Sequence, residues 1–491
     1  MGKQVIIIGG GGTGVSLFSR LSRVPGISSI SIVDPNPIGL GTAFGTTEPF
    51  LLCNTSVDVT SMDPDGESDL LRYLAARGWP VHRDDFVPRY LVGQYCRERF
   101  LEHRREAEQA GVRVRHHTSK ARTVTPVGAD GYAVELADGR RLTGTDVLLC
   151  QGLDRPVVPD VVREHLGNPA LSASVYPVDE LRRLPENSRV LVIGSKLAAV
   201  DAALILGRAR HRVTMASRSG TLPAVRTRLR RSERPRLDAS AWNGLSPDSP
   251  SLDRDVTRLL LAAVARTGNG TALRRQTSTA ERLTERLAEE LELARTGRAH
   301  WQDAIAEIIQ AVNHVSANWR YAARAAVLNR YRSLVARYIS AIPVRNAALL
   351  LEHLSAGTLS VVPRIPQSVT PAPDGGRGWQ VKWAGAPDEH FDHIVCATGY
   401  HKPVLDRLPD GTLRLDPTAA KDAVAPYVAG DLRVCDPLTG EPERIWVLGG
   451  ASHRRTAIVN YLNTAAQQSK AVADRFAAEE PEPTSLAGRP V

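Results

Sequence analysis

Residues 3–45 read KQVIIIGGGGTGVSLFSRLSRVPGISSISIVDPNPIGLGTAFG, and the order of the parts in this stretch decides the fold. Val5 to Ile8 is a short β-branched run, the kind that is buried on both faces of a parallel sheet. Gly9, Gly11 and Gly14 follow with G-x-G-x-x-G spacing, and Val15, Leu17, Phe18 and Leu21 then carry helical spacing. A second strand, Ser29 to Val33, ends in Asp34, twenty residues beyond Gly14. Each part has a mechanical reason. Gly9 permits the tight strand-to-helix turn, Gly11 lets the backbone approach a pyrophosphate, and Gly14 lets helix and strand pack closely. The helix N-terminus faces the phosphates, and Asp34 can accept hydrogen bonds from a ribose diol. A lone glycine motif is weak evidence; strand, glycines, helix, second strand and acid in this order are strong evidence for a dinucleotide-binding unit.

Downstream of Asp34, the glycines Gly39, Gly41 and Gly45 make a loop on the carboxyl side of the second strand, where a bound nucleotide lies. The next connection, LLCNTSVDVTSM at 51–62, reads as extended, with its backbone flanking the ligand at Asn54. A helix is expected from about Tyr90 to Gly111 and a strand over Val112–His116. Segments near Arg122–Thr125 and Tyr132–Leu136 read as pieces of a hairpin or meander, with Pro126 restricting the first to a sheet edge. Asp146–Cys150 is another buried strand, followed by Gln151 and Gly152.

A second unit of the same kind begins at Arg189, RVLVIGSKLAAVDAALILGRARHRVTMASRSG. Val190–Ile193 is its strand, Gly194 and Ala199 take the roles of the first and third glycines, and Lys196 stands where the second would be. The bulk of Lys196 opposes close backbone approach, whereas its charge favours phosphate. After the next strand, Val213–Ala216, Arg218 is placed to meet a 2′-phosphate, which favours NADPH over NADH. Thr221 to about Leu252 is expected to loop over the surface. Residues 253–354 are mostly amphipathic helix, an insertion that could cover a substrate cleft. Strands return at Leu359–Val362, Trp379–Trp383 and in FDHIVCATGYHKP (391–403), and RIWVLGGASHRRT (444–456) reads as a strand and glycine turn leading to a helix that ends near Phe476. The fold class is therefore α/β: two Rossmann-like dinucleotide-binding domains with a helical insertion. The expected boundaries are 1–185 for the first part of one domain, 186–390 for the other, 391–476 for the return to the first, and a disordered, Pro- and Glu-rich tail over 477–491.

The 491 residues exceed one ordinary core, which fits two domains. Hydrophobic content of 42% and charge of 23% describe a globular chain, and no uninterrupted apolar run reaches membrane-spanning length. No basic and apolar leader precedes the first strand, so a cytoplasmic location is expected. The five cysteines are scattered without a C-x-x-C pair, which gives neither a local redox disulfide nor zinc spacing, and no metal site is expected. A net charge of +9 could suit nucleic acid. The arginines are spread without interleaved aromatics, however, so an anionic small substrate and anionic cofactors account for it better.

The two units, the Ala397-Thr398-Gly399-Tyr400 stretch and the terminal glycine turn together resemble the two-domain FAD/NAD(P) oxidoreductases, especially flavin-containing and N-hydroxylating monooxygenases. IVDPNPIGLGTAFGTTEPFLLCN, FVPRYLVGQY and WQDAIAEIIQAVNHVSANW are similar to the FAD-NAD(P)-binding family that includes bacterial aspartate N-monooxygenases forming nitrosuccinate. The resemblance covers nearly the whole chain; it is specific for cofactors and weak for substrate. It departs at Lys196, where relatives carry glycine, and at Cys150-Gln151-Gly152, where an Ala-Thr-Gly-like stretch is usual. It implies FAD in the first unit, NAD(P)H in the second, which Arg218 narrows to NADPH, and oxygen activation as a flavin C4a-hydroperoxide. On this reading the cofactor contacts fall to Gly9, Gly11, Gly14, Asp34, Gly41, Asn54, Gly194, Ser195, Lys196, Arg218, Thr398, Gly399 and Gly449.

The expected partners are O2 and a small amine or amino acid, with neither nucleic acid nor membrane. An N-hydroxylase must bind its amine neutral and nucleophilic, which calls for a positive or apolar site. Arg89, Arg345, Arg454 and Arg455 are the candidate anchors for a substrate carboxylate, aspartate being the first expectation; for each, a plain salt bridge is the competing reading. No side chain is singled out as catalytic, since the cofactor carries the chemistry. The alternatives are a FAD hydroxylase of carbon or sulfur, a Baeyer–Villiger enzyme, or a flavoprotein that oxygenates nothing.

Overall fold

The computed structural model describes residues 2–63, 69–128, 131–229, 239–268, 270–372, 378–416, 424–459 and 461–478. The expected tail lies, from residue 479 onward, outside the described residues, and the final helix Leu462–Ala478 runs two residues past Phe476. The first sheet is built on β1 (Lys3–Ile8), which pairs in parallel with β2 (Ile27–Val33) and with β7 (Asp146–Leu149). Its full order is β20-β21-β7-β1-β2-β3, where β3 is Arg113–His117, β20 is Arg433–Cys435 and β21 is Pro442–Val447; only β20 is antiparallel. Alternation along β1 explains the layers. Val5 and Ile7 pack beneath the Gly12–Leu21, Arg89–Gln109 and Leu462–Ala478 helices with Phe18, Phe100, Trp446 and Phe476. Ile6 and Ile8 face the opposite way, into a core shared with a small antiparallel sheet.

That small sheet has the order β18-β19-β4-β5-β6, formed by β4 (Ala121–Val127), β5 (Gly131–Leu136), β6 (Arg141–Gly144), β18 (Asp406–Arg407) and β19 (Leu413–Arg414). It corrects the edge expectation for Pro126: β4 is an interior strand. Pro126 is tolerated because β19 covers only Thr123 and Val124, leaving the proline opposite Tyr132 of β5 alone.

The second sheet is wholly parallel, in the order β13-β10-β9-β17-β8. Its strands are β8 (Leu171–Ser172), β9 (Arg189–Ile193), β10 (Arg212–Ala216), β13 (Leu359–Val362) and β17 (His393–Cys396). Two expected boundaries shift as a result. β8 joins this sheet from ahead of residue 186, and β17 joins it from beyond residue 390, because hydrogen bonding to β9 and not chain position decides membership. An antiparallel meander of β14 (Pro366–Pro371), β15 (Trp379–Trp383) and β16 (Ala386–Phe391) leads from β13 into β17.

The insertion is also shorter than its expected 253–354. The Val344–Ser355 helix packs on the Leu197–Arg208 helix and feeds directly into β13, so it is a crossover of the second unit. The Leu252–Thr267, Leu283–Arg295, Ile305–Ser316 and Tyr321–Arg330 helices form the insertion proper. The expected surface loop over 221–252 contains β11 (Val225–Arg226), paired with β12 (Ile342–Pro343), and the Ala239–Asn243 helix; residues 230–238 lie outside the described residues.

In the second sheet, His393 is buried with Nε2 2.9 Å from Ser172 Oγ, and burial pushes its pKa down to about 4. The folded state thus holds a neutral imidazole where the unfolded chain titrates near 6.5. Stability linked to His393 is complete above that value and is lost as the pH falls from about 6.5 toward 4. Thermal midpoints measured over this range are expected to fall, and His393→Gln to flatten the slope; an unchanged slope would remove the assignment.

Candidate functional site

The first glycine turn is shaped by two close approaches. Gly9 has φ +106°, and a Cβ there would stand 2.6 Å from the Cys150 carbonyl oxygen; one on Gly14 would stand 2.0 Å from that of Gly9. Gly11 differs: a Cβ would meet only the Gly41 Cα, at 3.8 Å. Gly11 is also the N-cap of the Gly12–Leu21 helix and no side chain caps that helix. Open space over uncapped N–H donors suits a pyrophosphate. Gly41 opens a short helix, Gly41–Phe44, that lies over this turn, and Gly39 N donates to Gly10 O at 2.8 Å. The Asp34 carboxylate accepts from Gly10 N and Asn36 N, both at 2.7 Å, so it braces the turn.

Gly449 closes the same site from the far end of the chain. It has φ +55°, and a Cβ would collide with Thr13 at 2.4 Å. Its N–H donates to Gln468 Oε1 at 2.8 Å, while Gln468 Nε2 donates to Ser452 and Thr456. Gln468 was not foreseen; one glutamine on an amphipathic helix carries no motif.

The second turn has Gly194 at φ +140°, with a Cβ position 2.5 Å from Ala397 O. Lys196 caps the Leu197–Arg208 helix with its backbone, while its Nζ donates to Thr221 O at 2.9 Å and Thr221 Oγ1 at 3.2 Å; burial lowers its pKa. Ser195 Oγ lies 2.8 Å from Ser217 Oγ and donates to Thr221 O. The lysine is thus tied to the loop that carries Arg218. Arg218 is exposed, and no hydrogen bond or ion pair engages its side chain among the described residues. Thr398 and Gly399 end β17 and so lie at the second sheet, not in the returning part of the first domain. The Thr398 hydroxyl donates to Val157 O, which commits it to the crossing segment, and Gly399 has φ +94° with open space at its Cβ position.

The four candidate anchors separate. Arg89 is not one: its Nη2 pairs with Asp201 Oδ2 at 2.7 Å, Nη1 donates to the Tyr176 hydroxyl at 2.8 Å and Nε to Leu52 O at 3.1 Å. Arg454 is likewise engaged, by Leu405 O and Asp406. Arg345 is exposed on the Val344–Ser355 helix and does not line the cavity described next. Arg455 does. That cavity, about 640 Å³, opens between the Ile305–Ser316 helix and the C-terminal segment 430–475. Its wall holds one acid, Asp431, against Arg455 and Arg475, together with Asn313, Tyr461 and Gln468. Asp431 is itself bonded to Arg433 at 2.7 Å, and the Arg455 side chain has no such partner among the described residues. Gln468 joins the cavity wall to the Gly449 turn. The Asn54 carbonyl accepts from buried Arg226. Among the described residues no cluster of His, Cys, Asp or Glu could hold a metal, and no helix is long and apolar enough to cross a membrane.

Residues 6–154 match the family model described as FAD-NAD(P)-binding. Comparison with curated proteins gives no match. Among solved structures, the ornithine hydroxylase of Pseudomonas aeruginosa superposes over 97% of this chain and 99% of its own, with TM-score 0.58 and 13% identity. The ornithine N-hydroxylase of Kutzneria sp. 744, with reduced FAD, NADP+ and L-ornithine, does so over 97% and 99% at TM-score 0.59 and 16% identity. The bacillithiol disulfide reductase of Staphylococcus aureus covers 98% and 100% at 0.51 and 13%. At such identities the likeness is one of fold, and the fold serves more than one chemistry.

The open space at Gly11 yields a test. Gly11→Val is expected to fold and to melt like the flavin-free unmodified protein, since a Cβ at this position meets only the Gly41 Cα at 3.8 Å, yet to purify without flavin. Full flavin content in that variant, by absorbance, would refute the assignment. The first third of the chain thus matches the FAD-NAD(P)-binding model, and the whole carries the fold of the ornithine hydroxylases and of the disulfide reductase.

Proposed function

We propose that the protein is an FAD-dependent, NADPH-using N-monooxygenase that hydroxylates the amine of a small amino acid, with aspartate the first candidate. The observation that carries this reading is the cavity beside the Gly449 turn, whose wall bears more positive than negative side chains and an unpaired arginine. It is a place for a small anion next to a dinucleotide site. Bound FAD, reduced by NADPH, supplies the oxygen-activating chemistry.

The chain's own residues have other tasks. The Gly9–Gly14 turn and Gly449 hold the first nucleotide, while Gly194, Ser195, Lys196 and Arg218 hold the second. The Ile305–Ser316 helix forms one wall of the cavity, through Ala306, Ile309 and Asn313. Arginines in the wall lower the pKa of a bound ammonium, so that more of it is the free amine, although the substrate's carboxylates partly offset this. The disulfide chemistry of one fold relative is disfavoured on physical grounds. All five cysteines are buried, and burial pushes the thiols of Cys53, Cys96 and Cys396 up to about 12, where the reactive thiolate is scarce at neutral pH.

Two measurements test the reading. Arg218→Ala is expected to raise the KM for NADPH roughly tenfold or more and to leave NADH nearly unaffected. The basis is a lost charge-assisted phosphate contact, worth on the order of 1.5–3 kcal/mol; equal effects on both nucleotides would sink the NADPH preference. Aspartate is expected to stimulate NADPH oxidation and to yield a hydroxylamino or nitro product by mass spectrometry. Stimulation that gives only peroxide would count against oxygen transfer to aspartate. Turnover of a neutral amine alone would overturn the dicarboxylate reading but keep the N-monooxygenase class.

A further inference from the structure

Arg226 is wholly buried at the end of the short strand β11. Its Nη2 donates to the carbonyl of Asn54, and the ring of Phe86 lies 5.9 Å from its guanidinium carbon. Its Nε and Nη1 are buried without a hydrogen-bond partner, and no carboxylate among the described residues comes within ion-pair distance. Arginine cannot shed this charge inside a protein, and a buried cation without a counter-charge is among the costliest arrangements a fold can keep. Such a group is retained where something else supplies the anion.

The surroundings say where an anion would come from. Tyr461 is the polar neighbour of Arg226, its hydroxyl oxygen facing the guanidinium while its O–H donates to Ile339 O at 3.2 Å. Tyr461 also lines the 640 Å³ cavity, as does Leu229, three residues after Arg226 in the chain, and Val59 of the same segment as Asn54. The guanidinium thus stands behind the inner wall of the cavity, whereas Arg455 lies in the wall itself.

We propose that Arg226 is the inner anion-binding residue of this cavity, and that a substrate carboxylate, on displacing the Tyr461 side chain, pairs with its unpartnered N–H donors. A dicarboxylate amino acid would then span from Arg226 to Arg455, with its amine between them. Arg226 replaces Arg89, Arg345 and Arg454 as the second cationic anchor. The inference deepens the proposed function and rests on its substrate class.

The test is binding of succinate, which has both carboxylates but no amine, to the flavin-loaded protein, followed by thermal shift and calorimetry. Succinate is expected to stabilise the unmodified protein. Arg226→Gln keeps a donor for the Asn54 carbonyl and removes the buried charge, so it is expected to fold with an unchanged or higher melting temperature. It should bind succinate on the order of tenfold to a hundredfold more weakly. Arg226→Lys restores the charge and should recover part of the affinity. Succinate affinity in Arg226→Gln within about twofold of the unmodified protein would overturn the proposal, leaving the arginine as a tie to Asn54; so would no succinate binding to the unmodified protein. Should Arg226→Gln fail to fold, Arg226→Lys decides: lower affinity supports the site, because the fork geometry is lost, and unchanged affinity removes it. Arg226-dependent succinate binding without oxidation of aspartate would leave this site standing and refute the reaction. Oxidation of a neutral amine without succinate binding would do the reverse.

Discussion

Arg89 and Asp201 meet in a buried ion pair across the two dinucleotide units, with the Tyr176 hydroxyl bonded to both. Burying two charges is costly, and an arrangement of this kind holds only when each remaining donor and acceptor is also satisfied. Here all three nitrogens of the arginine are engaged, Nε by the Leu52 carbonyl. That contact fixes the segment after residue 48, which leaves the first unit and plants Phe50, Leu51 and Val59 in the hydrophobic core of the second. Arg182 reaches back to the buried Glu48, and Leu229 N donates to Ser56. The same segment therefore supplies the Asn54 carbonyl to buried Arg226 and a cavity wall at Val59, so its placement ties the first unit to the cavity.

The parts of this fold that were legible are those whose cause is local. A β-branched run, glycines at fixed spacing and an acid twenty residues later are each dictated by neighbouring backbone, and the structure puts Gly9, Gly11, Gly14 and Asp34 at one turn. The second unit was equally readable despite Lys196, since Gly194 alone imposes the turn. What could not be read depends on pairing across long separations. Whether β17 belongs to the first or second sheet is decided by hydrogen bonds to β9, two hundred residues earlier, and either sheet accepts the same apolar strand. The role of Arg89 was hidden for the same reason: its partner lies on a helix that gives no sign of carrying a buried carboxylate. Arg226 lies in a stretch that reads as surface loop, where an arginine is unremarkable until the burial is known.

Lys196 shows how a motif position can change residue without losing its geometry. Glycine is needed there for backbone clearance, yet the lysine side chain is drawn aside by two contacts to Thr221. Its backbone stays at the helix start with φ −105°, a conformation open to any residue. The substitution thus exchanges empty space for a tethered cation beside the loop of Arg218.

The order of strands in the first sheet has a consequence for synthesis. β21 pairs with β7, yet nearly three hundred residues separate them in the chain. At 5–20 residues per second the ribosome needs about 15–60 s to deliver that missing strand. Throughout that interval the β7 edge is unpaired and the Val5–Phe18 face lacks the Leu462–Ala478 helix that covers it. The second sheet, whose strands all lie between Leu171 and Cys396, is complete earlier. The unit translated first is therefore the last to close, and a nascent chain of this protein carries an open, aggregation-prone sheet edge for most of its time on the ribosome.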